Sequence, residues 1–260
     1  MLHYELSGKG KENLVLLHGF MENSDIWKFL EPHLSTKFKI IKIDLPGHGK
    51  SDNYGEIHSM EMMAIEVEKV ISELNLEKIH LLGHSMGGYV SLAFAELFPE
   101  KLKSLTLFFS TFLADDEEKK DQRSKSLRII KDAFKHYVNA GIPNLFNPNE
   151  KDILEGKINF AKETALSTDN SGVLAAVKGM IARTDKLELL KNLDGKILVL
   201  TGKHDSAVNT EKTLKNIPEK TNIKSYVLDC GHMGQLEKPE ICAAIINTEL
   251  LHDLPKYLVF

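Results

Sequence analysis

The chain has 260 residues, 42% hydrophobic and 27% charged, a length that suits one large domain or a domain carrying an insertion. Its formal net charge is −4 and its only arginines are Arg123, Arg128 and Arg183. That balance excludes an Arg-rich nucleic-acid groove and gives no reason to expect nucleic acid or an anionic membrane as partner.

Residues 4–8 read as a short strand and turn, and residues 13–17 as a continuous apolar strand ending in His18-Gly19-Phe20. Such runs suit parallel strands covered by helices on both faces. Ser24 is a candidate cap for a helix with Ile26, Trp27, Leu30 and Leu34 at helical spacing. Residues 38–43 predict a buried strand closing on Asp44-Leu45-Pro46-Gly47-His48-Gly49-Lys50-Ser51-Asp52. An amphipathic helix is expected over 59–74. The run Lys78-Ile79-His80-Leu81-Leu82 leads into Gly83-His84-Ser85-Met86-Gly87 and a helical pattern up to Leu97. Residues 102–109 form a further strand. From about 111 to 185 no buried strand is expected, and helical patterns fill 115–140, 150–166 and 171–183. Within them, Asp115-Asp116-Glu117-Glu118-Lys119-Lys120-Asp121 reads as a solvated helix start, acids first and bases later. Strands resume at 196–202 and 223–228, and Pro239 opens a closing helix to about 251. Strand–helix alternation broken by one helical block predicts an α/β fold with a mostly parallel sheet flanked by helices. Its core would span 1–111 and 186–260, with a helical cap over 112–185.

The chemistry centres on Gly83-x-Ser85-x-Gly87 between a strand and a helix, the pattern of a nucleophile elbow. The sharp turn needs small residues on both sides of a strained serine, and it holds Oγ beside the positive end of the next helix. Serine needs a base, and the base an orienting acid. Asp205 and His232 each follow a strand by a few residues and are the candidates. Asp44 reads as structural in its turn, Asp115 and Asp116 come too late after their strand, and Asp229 should point away from His232.

The sequence resembles the α/β-hydrolase superfamily, in particular its small, cap-bearing carboxylesterase-like and enol-lactone-hydrolase-like members. The likeness rests on His18-Gly19-Phe20, the Asp44 to Ser51 turn, Gly83-His84-Ser85-Met86-Gly87-Gly88, Gly202-Lys203-His204-Asp205 and Gly231-His232 with Glu237-Lys238-Pro239-Glu240. It implies Ser85 as nucleophile, His232 as base and Asp205 as acid, in the chain order of that superfamily. It also implies an oxyanion hole from the backbone N–H groups of Phe20 and Met86. The first edge strand is expected to be short or missing. Relatives acting on menaquinone precursors carry an arginine soon after the elbow glycines; here the residues are Tyr89-Val90-Ser91, which speaks against a strongly anionic substrate.

The reaction expected is hydrolysis of a small carboxylic ester or lactone, with Trp27, Phe112, Met180 and Val208 as candidate pocket residues. The alternative keeps the triad for carbon–carbon bond hydrolysis or acyl transfer, with Arg123, Arg128, Lys178 or Arg183 holding carboxylates. No cofactor is implied, because nucleophile, base and oxyanion donors all come from the chain. No His-Glu-x-x-His motif suggests a metal, and Gly47-His48-Gly49-Lys50-Ser51 fails the spacing of a phosphate-binding loop. Cys230 and Cys242 make no disulfide framework. With no signal peptide in the first residues and no run long enough to span a membrane, a cytoplasmic protein is expected.

Overall fold

The strands of the computed structural model are β1 (Tyr4–Ser7), β2 (Glu12–Leu17), β3 (Phe38–Ile43), β4 (Ile79–His84), β5 (Leu102–Phe108), β6 (Lys196–Gly202) and β7 (Ile223–Leu228). They form one seven-stranded sheet in the order β1-β3-β2-β4-β5-β6-β7. Only β1 runs antiparallel, against β3; it is the short edge strand. The structure describes residues 1–251; positions 252–260 of the expected core lie outside the described residues.

The chain steps outward from β2 to β3 and then crosses back to β4. The loops after β2 and β4 therefore diverge around a crevice at the carboxyl end of the sheet, where open α/β sheets hold ligands. β4 is the central strand, and all six of its residues are buried, its two histidines included.

The helices are α1 (Glu31–Leu34), α2 (Met60–Glu73), α3 (Met86–Leu97), α4 (Glu117–Gly141), α5 (Glu155–Leu166), α6 (Asn170–Ala182), α7 (Leu187–Asn192), α8 (Thr210–Lys215), α9 (Gly234–Glu237) and α10 (Pro239–Leu251). Ser59 caps α2, its side chain accepting from the Met62 N–H. The helix expected after Ser24 is instead two short pieces, a 3-10 turn Ser24–Trp27 capped by the Asn23 side chain, and α1. Pro32 is the reason: it has no N–H to continue a ladder, so the helix restarts with proline in its first turn.

Between β5 and β6 the chain builds α4, α5, α6 and α7. Helix α4 breaks at Ala133 (φ −149°, ψ 48°), so its two halves point differently. Helix α6 packs against α4 and seats on the core through glycine. A Cβ on Gly172 would lie 2.1 Å from the Gly47 carbonyl oxygen, so any larger residue would lift the helix. The His58 N–H also donates to the Ala175 carbonyl at 3.0 Å.

Candidate active site

Ser85 ends the turn from β4 into α3 with φ 50° and ψ −112°, a backbone position disfavoured for any residue with a Cβ. Glycines make the turn possible. A Cβ on Gly83 would sit 2.2 Å from the Gly87 oxygen, and one on Gly87 2.3 Å from the Leu17 oxygen. The strained peptide is held by hydrogen bonds. The Ser85 N–H donates to the Phe108 carbonyl at 3.1 Å, and its own carbonyl accepts from the Gly88 N–H at 2.9 Å and Ser110 Oγ at 2.7 Å.

His232 follows β7, its Nδ1 2.8 Å from Asp205 Oδ2. The other Asp205 oxygen accepts from the N–H groups of Ala207 and Val208, both at 2.8 Å. With its Nδ1 proton directed to a carboxylate, the neutral ring keeps a lone pair on Nε2. The histidine loop is fixed from below by the buried Glu237 carboxylate, which accepts from the N–H groups of Gly231, Met233 and Asn147.

Ser85 and His232 line one cavity of about 230 Å³, together with Phe20, Met180 and Val208. Met86 is buried immediately behind Ser85. Its N–H is the first of α3, which helix geometry leaves without an intrahelical acceptor. Trp27 and Phe112 do not line this cavity. Both are fully buried. Trp27 meets the His84 ring edge-on, with centroids 6.4 Å apart, and Phe112 lies with Met60 and Leu92 on another side of Tyr89. Apolar spacing selects buried residues without saying which wall they face, and here it selected core. A wider open depression of about 560 Å³ contains neither Ser85 nor His232, but meets the cavity at Tyr89, Lys119, Ala207 and Val208.

Other sequence candidates have structural work. His18 accepts from the Leu45 N–H through Nε2 at 2.9 Å, and its Nδ1 lies 2.7 Å from the Gly19 carbonyl. Asp44 accepts from the N–H groups of Ser24 and Lys50. Asp229 turns outward to His204. Burial, with the Glu237 charge nearby, pushes the Cys230 thiol far up, so it is no thiolate nucleophile.

A model of the α/β hydrolase fold family matches residues 12–157, more than half of the 260 residues. The chain belongs to the α/β hydrolase fold family. Among solved structures, this α/β hydrolase is similar to a thermophilic esterase from Thermogutta terrifontis determined with malate bound. The two share 30% identity and a TM-score of 0.89, over 96% of this chain and 93% of the esterase. It is 26% identical over 271 residues to 2-hydroxy-6-oxononadienedioate/2-hydroxy-6-oxononatrienedioate hydrolase 1 of Pseudomonas putida, covering 96% of this chain and 92% of that protein. A further match is to the dihydrolipoyllysine-residue acetyltransferase component of an acetoin cleaving system of Pseudomonas putida. It is 39% identical over 112 residues, which are 43% of this chain and 30% of that protein's length.

Two features of this α/β hydrolase escape sequence reasoning. Glu22 and His84 form a buried pair beside Ser85, in the wall of the same cavity. Burial disfavours the charged imidazole, but the Glu22 charge and hydrogen bond outweigh it and hold the His84 pKa above its ordinary value. Burial likewise opposes the Glu22 carboxylate, but His84 and the Gly19 N–H hold its pKa below the ordinary value. Lys119 and Tyr137 of α4 also face the cavity, beside Arg123, which the sequence already offers as a candidate to hold a carboxylate. The one available signal for Lys119 is its four-residue spacing from Asp115 before it and Arg123 after it.

Proposed function

We propose that this chain is a serine hydrolase that cleaves a small carboxylic ester or lactone through an acyl-enzyme on Ser85. The observation that carries the reading is the convergence of Ser85 and His232 on one small cavity, with Asp205 on the far nitrogen of His232. The helical block over 112–185 acts as a cap that limits substrate size.

In the reaction, His232 Nε2 takes the Ser85 Oγ proton as Oγ bonds to the substrate carbonyl carbon. The carbonyl oxygen becomes an oxyanion, received by the N–H groups of Phe20 and Met86; each such donor is worth roughly 3 kcal/mol in the transition state. Collapse of this intermediate breaks the bond to the leaving oxygen, which takes the proton back from His232. Water, deprotonated by His232, then attacks the acyl carbon and restores Ser85. Asp205 holds the imidazole in the tautomer that both steps use and stabilises its charged form.

Hydrolysis of para-nitrophenyl esters across short to long acyl chains tests this, with Ser85→Ala beside wild type. Turnover of short chains, lost in the variant, is expected; turnover that survives in Ser85→Ala defeats the reading. A second reading, carbon–carbon bond hydrolysis of a keto acid by the same residues, is favoured by the name of the Pseudomonas putida relative. Keto-acid turnover without ester turnover would select it.

A further inference from the structure

Lys119 and Arg123 stand four residues apart on α4, hence on one face of the helix, and both line the cavity that holds Ser85 and His232. Arg123 Nε donates to Asp115 Oδ2 at 2.6 Å, and Arg183 Nη2 donates to the other oxygen of the same carboxylate at 2.6 Å. Arg183 is largely engaged, its buried Nε alone having no hydrogen-bond partner among the described residues. It also donates to the Leu113 carbonyl and stacks over the Tyr89 ring at 4.0 Å. Arg123 is not, because its Nη1 faces the Met180 sulfur at 3.3 Å, a weak acceptor.

Lys119 has no carboxylate within ion-pair distance among the described residues; its Nζ donates to the Ala207 carbonyl at 3.4 Å. The nearby carboxylates are engaged elsewhere, Asp205 with His232 and Asp116 with Lys212. Arg123 and Arg183 thus share one carboxylate, Asp115, and Lys119 has none at ion-pair distance, so the two cations that face the cavity have only half of one carboxylate between them. Burial and the neighbouring Arg123 charge hold the Lys119 ammonium below its ordinary range. Both side chains are half-buried; a partly desolvated charge without a full counter-charge is costly, and an anion between the two side chains would relieve that cost. Arg123 lines the Ser85 cavity and not the wider depression, so the anion belongs to the part of the substrate held beside Ser85.

We propose that Lys119 and Arg123 form a carboxylate site opposite Ser85, and that the natural substrate carries a carboxylate at the far end of a short acyl chain. This rests on the acyl-enzyme reading above. The absence of an arginine after the elbow is thereby answered from a different element: the cation comes from α4, while Tyr89 packs under Arg183.

The test compares para-nitrophenyl hexanoate with mono-para-nitrophenyl adipate, esters of equal acyl length that end in a methyl or a carboxylate. Wild type should favour the adipate in kcat/KM by at least about tenfold, a modest return for a charge-assisted contact. Lys119→Met should abolish that preference and Lys119→Arg retain it. Lys125→Met, on an exposed lysine paired with Asp121, should also retain it. Equal kcat/KM for both esters in wild type, or a preference that Lys119→Met leaves intact, overturns the site. Adipate binding to the Ser85→Ala variant, by isothermal titration calorimetry, separates the two readings. Binding weakened about tenfold by Lys119→Met, with no ester turnover in wild type, would keep the anion site and discard the ester reaction. No adipate binding discards the site.

Discussion

His84 Nδ1 lies 2.9 Å from Glu22 Oε2, and His84 Nε2 lies 3.0 Å from the carbonyl oxygen of His232. One imidazole therefore ties the loop after β2 to the loop after β7, directly beside Ser85. Glu22 extends the link, accepting from the Gly19 N–H at 2.6 Å. The loop that ends in Phe20 and the loop that presents His232 are held by the same buried pair.

Glu22→Gln leaves a buried imidazole without its counter-charge and should destabilise the fold by roughly 2 kcal/mol, below the usual loss for a broken buried pair because histidine can shed its proton. The sign of the pH dependence follows from the two shifts. His84 is raised above 6.5, so its stabilisation is complete below 6.5 and is lost as pH rises through its folded-state pKa. Glu22 is held below 4.5, so its stabilisation is complete above 4.5 and is lost as pH falls through its folded-state pKa. The Tm advantage of wild type over Glu22→Gln should peak between pH 4.5 and 6.5 and shrink on both sides. A difference that is flat with pH would refute the ion pair.

Asp205→Asn keeps an oxygen for the N–H groups of Ala207 and Val208 but turns an NH2 group toward His232 Nδ1. That favours the wrong imidazole tautomer, and kcat/KM for a good ester should fall about 10³- to 10⁴-fold. Steady-state kinetics decides it; a loss of less than tenfold would remove Asp205 from the mechanism.

Gly83→Ala places a Cβ 2.2 Å from the Gly87 oxygen, a backbone atom that cannot move aside without opening the elbow. Urea unfolding should register a loss of about 3 kcal/mol or more. Gly195→Ala is the comparison, because its Cβ would meet nothing nearer than the Lys103 oxygen at 3.6 Å. It should stay within about 0.5 kcal/mol of wild type.

Met180 lines the cavity and Trp27 does not. Met180→Ala should move the preferred acyl length of a para-nitrophenyl ester series upward by about two carbons, roughly the volume removed. Trp27→Phe should cost roughly 2 kcal/mol of stability and leave that preference where it was. A shift in chain length from the tryptophan change, and none from the methionine, would reverse the assignment of the wall.

The sheet was legible in the sequence because parallel strands buried on both faces write themselves as unbroken apolar runs, as at Leu14–Leu17 and Ile197–Leu200. The elbow was legible for a steric reason: Gly83 and Gly87 stand where a Cβ would strike backbone. The helices between β5 and β6 were readable as helices, though their periodicity says nothing of what each face meets. Only the folded chain decides that Trp27 and Phe112 are core while Met180 and Val208 border the cavity. The same holds for charge. Read along the chain, Asp115 and Lys119 belong to a solvated helix start, and Asp116 does cap α4. In three dimensions Asp115 binds Arg183, 68 residues later, and Lys119 turns inward beside Ser85. Glu22 and His84, 62 residues apart, carry no local signature at all. A buried ion pair depends on two distant segments arriving together, and sequence spacing records only what is near along the chain.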